Sequence, residues 1–177
     1  MLGDTHAAIG GAAFLGDCAI TGLMPGYHPW SAGILLGGWV IASIAALGPD
    51  IDSKGSIISQ LFGYPSKAVS YGIRKAFGGH RKITHSFLGL GIIALLLFGG
   101  VTLGLGYWVA MAIGVGWVSH VISDSITVMG CPWFWPLDHH NYGIPLVTTG
   151  HDSELKVIVP LAGFFTLVFA VLLALGK

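Results

Sequence analysis

The chain has 177 residues, of which 54% are hydrophobic and only 9% are charged, and its mean hydropathy is +0.79. An ordinary soluble domain carries far more charge, so the composition excludes that class and predicts a single integral membrane domain over residues 1–177. Eight Lys and Arg residues balance eight Asp and Glu residues. Net charge therefore gives no reason to expect nucleic acid as a partner.

The cysteines and the first basic residue exclude two further classes. Cys18 and Cys131 are far apart and form no Cys-x-x-Cys pattern, so we expect two apolar packing residues and no zinc ribbon or redox pair. The first Lys or Arg is Lys54. The N-terminus thus lacks the positive region of a secretory signal peptide, and we expect it to stay in the mature protein.

Apolar runs predict the membrane helices in chain order. A first, weaker run at residues 7–24 contains Asp17 and several glycines. Three runs without any charge follow, at residues 31–48, 87–119 and 157–176. A membrane helix needs roughly 20 apolar residues, so the 87–119 run is too long for one crossing, and its central glycines predict a hairpin. We predict an all-α, polytopic helical bundle with about five transmembrane helices.

The basic residues orient this bundle in the membrane. Six of the eight lie in the connection at residues 49–84, namely Lys54, Lys67, Arg74, Lys75, Arg81 and Lys82. By the positive-inside rule this connection is cytoplasmic. Counting crossings places the N-terminus and the 120–156 connection on the same face. Most histidines and acidic residues then share one side of the membrane, whereas His28 and Asp17 lie elsewhere.

His120 and Asp124 are four residues apart at the end of an apolar run. If the helix continues, both side chains share one face and could bind a single ion. The alternative is a histidine at the helix end that is hydrogen-bonded to its neighbour.

Asp50 and Asp52 follow a proline that ends the second apolar run, at residues 31–48. If the segment is extended, both carboxylates point to the same side, where they would favour a hard or borderline cation. A solvated turn is the alternative.

The segment Gly78-Gly-His80-Arg-Lys-Ile-Thr-His85-Ser places two histidines directly before an apolar helix. On a regular helix His80 and His85 would point about 140° apart, so both can face one ion only if the segment begins as a loop. The paired glycines allow that.

The same segment supplies a cation and two hydroxyls. Arg81 could bind a substrate phosphate bidentately, or it could act with Lys82 as a positive-inside anchor. Thr84 or Ser86 could cap the helix or orient a histidine.

Further candidates flank these segments. His6 precedes the first apolar run, and the 131–154 segment adds His139, His140, His151 and Glu154. The aromatic residues Trp133, Trp135 and Tyr142 suit an interfacial belt. Ionisable groups at a membrane edge are costly to keep, so their number on one face favours a metal centre.

Read in order, the chain carries Thr-His6, Leu-Gly-Pro-Asp50-Ile-Asp52, His80-Arg-x-x-Thr-His85-Ser, Ser-His120-x-x-x-Asp124-x-x-Thr127-x-x-Gly130, Trp135-Pro-Leu, and a late Gly150 with Glu154. This set covers nearly the whole chain and resembles the YdjM-like family of bacterial inner-membrane proteins, described as membrane-bound metal-dependent hydrolases. The resemblance implies an inner-membrane location.

The order His, Asp, His, His-x-x-x-Asp, Glu is also similar to that of zinc-dependent phospholipase C and related single-strand nucleases. Carried over by position, this likeness implies that the ligands are His6, Asp50, His85, His120 and Asp124, with Glu154 on another ion. His80 is a further candidate ligand, and the expected supporting residues are Thr84, Ser86, Ser119 and Thr127. The chain departs from the pattern because His151 and Glu154 are three residues apart, so no His-x-x-x-Glu is present.

Three functions compete. The first is a metal-dependent phosphoester hydrolase acting on a phospholipid or another membrane-associated phosphate, with one or more zinc or manganese ions, Asp50 or Asp52 as general base and Arg81 stabilising charge. The second is an ion or proton transporter that uses the same groups. The third is a structural membrane protein whose metal ties loops together. The sequence also leaves open a homo-oligomer in which glycine-rich helix faces of two copies pack together.

Overall fold

The computed structural model describes residues 1–22, 30–53, 55–61, 63–79, 81–152 and 154–175. Within these ranges the protein is all-helical and contains no β-strand, and two isolated bridges join Thr127 to Val147 and Cys131 to Tyr142. The all-α prediction is confirmed.

The described residues form seven α-helices: α1 (Gly3–Gly22), α2 (Ala32–Ala45), α3 (Ile57–Leu61), α4 (Gly63–Phe77), α5 (Phe87–Thr102), α6 (Tyr107–Ser125) and α7 (Val159–Leu175). Three short turns sit at their ends. Two are 3-10 turns and the third has π geometry, at Gly48–Asp52, Ile83–His85 and Glu154–Ile158.

Five of these helices lie where the apolar runs predicted them, and the 87–119 run is a hairpin of α5 and α6. Its turn contains Gly104, whose φ of 103° is open to glycine and strained for other residues. By length and composition, two stretches of the described residues qualify as candidate membrane spans: Ala32–Asp52 and Glu154–Leu175. Helix α5 is apolar but has only 16 residues, about 24 Å of helix.

Helices α1, α2 and α6 meet in one tightly packed junction. The carbonyl of Ala42 on α2 is approached from both sides, by Gly10 of α1 and Gly116 of α6. A Cβ atom at Gly10 would lie 2.7 Å from this oxygen, and one at Gly116 would also overlap it. The apolar core beside the junction includes Phe14 and Cys18. Close approach of three helices therefore depends on glycine at these positions.

The junction sets the position of the polar residues. Helices α1, α5 and α7 begin, and helices α2 and α6 end, at the same end of the bundle. His6 and His85 lie within reach of Asp124, the Ala46 carbonyl accepts from His120, and Glu154 accepts from the N–H of Leu2. The opposite surfaces of α5 and α7 are apolar and exposed, with Leu95 72% and Leu167 64% accessible. Such a surface suits a lipid environment.

Candidate metal centre

Among the described residues, two groups of side chains at this end of the bundle could hold a metal ion. One contains His6, His120 and Asp124, and the other contains Asp50, His85 and His120. In each group one ligand atom per residue lies within 4.8 Å of the others. His120 belongs to both groups, so they form one cluster drawn from α1, α6 and the two 3-10 turns Gly48–Asp52 and Ile83–His85.

Distances between the candidate ligand atoms match those of a coordinated ion. His85 Nε2 lies 3.1 Å from His120 Nε2 and 3.5 Å from Asp124 Oδ2. Asp50 Oδ1 lies 3.8 Å from both Nε2 atoms. Four tetrahedral ligands at about 2.1 Å from zinc would be roughly 3.4 Å apart. An ion fits between these atoms with small side-chain movements.

Helix α6 supplies the centre of the cluster. His120 and Asp124 are one turn apart on its buried face, with Nε2 and Oδ2 3.7 Å apart, as their spacing predicted. The ring of His6 stacks on His120 at 3.6 Å between centroids and an angle of 18°. His6 Nε2 is also 3.2 Å from Asp124 Oδ1. The side chains of His6, His85, His120 and Asp124 are all fully buried.

The partner of His6 Nδ1 identifies which nitrogen of that ring carries hydrogen. Nδ1 lies 2.9 Å from Ser123 Oγ, and the Ser123 hydroxyl donates its own hydrogen to the carbonyl of His120. While the Ser123 hydrogen goes to that carbonyl, Oγ accepts from Nδ1–H, and the lone pair of neutral His6 is then on Nε2. Among the described residues His6 Nε2 has no hydrogen-bond partner.

The same reasoning applies to the other two histidines. His120 Nδ1 lies 2.6 Å from the carbonyl oxygen of Ala46, which can only accept. His85 Nδ1 lies 2.8 Å from Thr84 Oγ1, whose hydrogen goes to Asp52 Oδ2 at 3.0 Å. Both rings consequently carry hydrogen on Nδ1 and a lone pair on Nε2.

Three Nε2 atoms and two carboxylates therefore form two adjoining groups that share His120. Lone pairs at 3.1 Å from each other repel unless a cation lies between them, and an acceptor behind each Nδ1 is the usual support of a metal-binding histidine. The donor set of imidazole nitrogen and carboxylate oxygen suits zinc or manganese. The residues present thus fit a divalent metal ion.

Arg81 joins the cluster from the loop before α5. Its backbone φ is 55°, its N–H donates to Asp52 Oδ2 at 3.0 Å, and Nη2 lies 2.6 Å from Asp124 Oδ2. The guanidinium is only 11% exposed, and Nε and Nη1 have no hydrogen-bond partner among the described residues. The amino group of Met1 pairs with the other oxygen of Asp124. Arg81 therefore keeps two buried donors for another acceptor.

The expected extended geometry of Asp50 and Asp52 is wrong. Residues Gly48–Asp52 form a 3-10 turn with Pro49 in its first positions, where the fixed φ of proline is favourable. Side chains two apart on such a turn diverge. Asp50 is 18% exposed and faces the histidines, whereas fully buried Asp52 binds Arg81 N–H and Thr84.

The four expected supporting residues have different contacts. Thr84 orients His85, and Ser86 caps α5 by accepting from the N–H of Gly89 at 3.3 Å. The hydroxyls of Ser119 and Thr127 donate to carbonyls of their own segment, those of Gly116 and Asp124.

One further candidate ligand, Glu154, is not part of the described cluster. Glu154 is fully buried, and its two oxygens accept backbone N–H groups from Leu2 and Gly150. It therefore ties the start of α1 to the segment before α7. His80 and His28 lie outside the described residues.

The three histidines of the 126–152 segment are not part of the cluster. His139, His140 and His151 are exposed. The Tyr142 hydroxyl donates to Asp138, and this bond and the N–H of His140 lower the pKa of Asp138. Burial raises the pKa of the Cys131 thiol to about 11, which suits a packing residue and not a thiolate ligand.

Two supporting groups were missed by the sequence reasoning. Ser123 lies between the two α6 ligands, and a hydroxyl of α6 that contacts His6 of α1 could be found only once the helix pairing was known. The carbonyl of Ala46 carries no side-chain signal. It is available because the last carbonyls of a helix lack intrahelical partners, and Ala46 is the C-cap of α2.

Comparison with known proteins places this geometry in a family. The family model described as YdjM inner membrane protein matches residues 1–176. The chain is 28% identical over 127 residues to "Inner membrane protein YdjM" of Escherichia coli (strain K12), and the same values hold for the Shigella flexneri protein of that name. Each match covers 70% of this chain and 61% of the relative, so the chain spans less than two thirds of these curated relatives. No solved structure matches it significantly. The matching family model shows that the chain is a membrane protein belonging to the YdjM inner membrane protein family.

Proposed function

We propose that the chain is a membrane-bound, metal-dependent hydrolase of a phosphoester. The observation that carries this proposal is the convergence of three Nε2 lone pairs, from His6, His85 and His120, on Asp50 and Asp124 in a buried cluster. The Nδ1 contacts of the three rings leave their Nε2 atoms facing the cluster.

The proposed topology has about five membrane crossings, by α1, α2, α5, α6 and α7. No acidic residue occurs between Asp52 and Asp124, whereas six basic residues do. By the positive-inside rule the ends of the helices that carry the cluster face the cytoplasm. The active site would then lie at the cytoplasmic face of the inner membrane.

The chemistry follows from the groups around the cluster. One or more zinc or manganese ions, held by the three histidines with Asp50 and Asp124, would supply Lewis-acid activation of water and of a phosphoryl oxygen. Asp50 is partly exposed and can accept a proton from the attacking water. Asp52 is the weaker candidate base, because Arg81 N–H and Thr84 already bind it. Arg81 can donate from Nε and Nη1 to developing phosphoryl charge.

The test measures metal content and phosphodiester hydrolysis on the same detergent-purified samples. We expect the parent chain to contain zinc or manganese and to hydrolyse the substrate, and we expect His120→Ala to lose both. His151→Ala replaces an exposed histidine outside the cluster and should behave like the parent.

Two results would overturn the proposal. One is a parent chain without bound metal whose His85→Ala and His120→Ala variants hydrolyse the substrate at the parent rate. The other is metal flux into liposomes without any hydrolysis, which would replace the enzyme with a transporter.

A further inference from the structure

A cavity of about 430 Å³ opens beside the metal-binding cluster. Asp50 and Arg81 line it and also belong to the cluster. Its volume falls within the roughly 300–1,000 Å³ of small-molecule sites. A molecule in this cavity would therefore lie against the residues that are proposed to act on it.

The cavity is lined by both polar and apolar side chains. Polar groups come from Asp4, Asp50, Ser53, Ser56 and Arg81, and apolar side chains come from Leu2, Leu47, Ile57 and Ile58. The start of α1 packs directly on α3 here, because a Cβ atom on Gly3 would lie 2.5 Å from Ile57 Cδ1. A ligand that fills this space needs one polar and one apolar part.

The polar part has a specific recognition group. Arg81 Nε and Nη1 are buried without a hydrogen-bond partner among the described residues, and unpaired buried donors are costly. The guanidinium is held in place by Asp124 at Nη2, and its backbone is held by Asp52. The two unpaired donors lie on either side of Nη2, and each can donate one charge-assisted hydrogen bond to an oxygen of a phosphate or phosphonate.

We propose that this cavity binds a lipid phosphate, with its phosphate at Arg81 and Asp50 and the first part of its hydrocarbon chain along Leu2, Leu47, Ile57 and Ile58. The proposal rests on the proposed function, because the carboxylates of Asp50, Asp52 and Asp124 would repel an anion unless a bound cation offsets them. It goes beyond that function by selecting a membrane lipid over a water-soluble phosphoester.

The experiment measures equilibrium binding to the zinc-loaded full chain in detergent micelles. Three probes separate the two parts of the ligand: a long-chain alkyl phosphonate, the alcohol of the same chain length, and methylphosphonate. None of them can be hydrolysed, so binding is read independently of activity. We expect the alkyl phosphonate to bind at least tenfold more tightly than either of the others.

Variants test which residues bind the phosphonate group of the probe and which bind its hydrocarbon chain. Arg81→Lys keeps the charge but removes the Nε and Nη1 donors, and it should weaken alkyl phosphonate binding roughly tenfold while leaving binding of the alcohol unchanged. Ile57→Ser should weaken binding of both long-chain probes by a similar factor. The control is Ile144→Ser, which replaces an isoleucine that is 63% exposed and absent from the cavity lining. Circular dichroism and zinc content check that each variant is folded.

The outcomes distinguish this proposal from the hydrolase. Equal affinity for methylphosphonate and the alkyl phosphonate, or equal loss in Ile57→Ser and Ile144→Ser, would overturn the lipid site even if the protein hydrolyses soluble phosphoesters. Binding of the alkyl phosphonate with the expected variant pattern, but without hydrolysis of any phosphoester, would support the lipid site and overturn the hydrolase.

Discussion

The Nε2 atoms of His85 and His120 lie 3.1 Å apart, although the Nδ1 atom of each ring already donates to an acceptor, Thr84 Oγ1 in one case and the Ala46 carbonyl in the other. Two neutral imidazoles in this arrangement present lone pairs to each other. A cation between them turns this repulsion into two bonds. The orientation of the two rings is therefore set by the acceptors of their Nδ1 atoms. These acceptors can be changed without replacing a candidate metal ligand.

The first prediction concerns the hydroxyl of Ser123. It accepts from His6 Nδ1 while donating to the His120 carbonyl, so it orients the His6 ring. We expect Ser123→Ala to lower zinc affinity by about 10- to 100-fold. Ser125→Ala removes a hydroxyl that donates to the Val121 carbonyl on the same helix and should change zinc affinity little. Competition with a chelator of known affinity measures both. Equal affinities in the two variants would contradict the assignment of Nδ1–H on His6.

The second prediction concerns Thr84, which links His85 to Asp52. Thr84→Val keeps the shape but removes the acceptor for His85 Nδ1, and we expect zinc affinity to fall by about 10- to 100-fold. Thr84→Ser keeps the hydroxyl and should retain most of the affinity. If valine and serine at this position bind zinc equally well, His85 is not oriented by the hydroxyl.

Much of the fold could be predicted because membrane helices leave a strong signal in hydropathy. The hairpin of α5 and α6 followed from a run that was too long and rich in glycine. The pairing of His120 with Asp124 followed from helical spacing alone. These inferences are local, since each depends on residues within one or two helices.

The rest of the site depended on packing between helices. The stacking of His6 on His120 requires α1 to lie against α6, and no periodicity in either helix specifies that register. The 3-10 turn that separates Asp50 from Asp52 was missed because Pro49 was interpreted only as a helix stop. The backbone acceptor at Ala46 is invisible in sequence, because any residue type supplies the same carbonyl.

The third prediction concerns the exposed loop before α7. The Tyr142 hydroxyl donates to Asp138 Oδ2 and lowers the pKa of that carboxyl. The stabilisation is therefore present while Asp138 is ionised, above its unfolded-state pKa, and it is lost as pH falls through the lowered pKa. Tyr142→Phe should raise the pKa of Asp138 toward the ordinary value, measured by carbon-13 NMR titration of aspartate carboxyls. An unchanged titration in the phenylalanine variant would show that the hydroxyl contributes nothing.

The fourth prediction concerns Gly116, where a change in helix packing is expected to change metal binding. A Cβ atom there would overlap the Ala42 carbonyl and lie 3.0 Å from Ala45 Cβ, so Gly116→Ala must push α6 away from α2. The Ala46 carbonyl, one turn beyond Ala42 on the same side, holds His120 Nδ1 at 2.6 Å. Separation of the helices would stretch that bond and turn the ring.

We therefore expect Gly116→Ala to lower the free energy of unfolding by about 1–3 kcal/mol and to weaken zinc binding as well. Gly91→Ala is the matched control, because a Cβ atom on that helical glycine of α5 meets nothing within 4 Å; it should leave zinc affinity unchanged and stabilise the helix by up to about 1 kcal/mol. Thermal unfolding in detergent and chelator competition measure the two quantities. A Gly116→Ala protein that is destabilised but binds zinc normally would contradict this prediction. It would show that the ligands do not depend on the junction of α1, α2 and α6, because the ring of His120 would then hold its position without the Ala46 carbonyl.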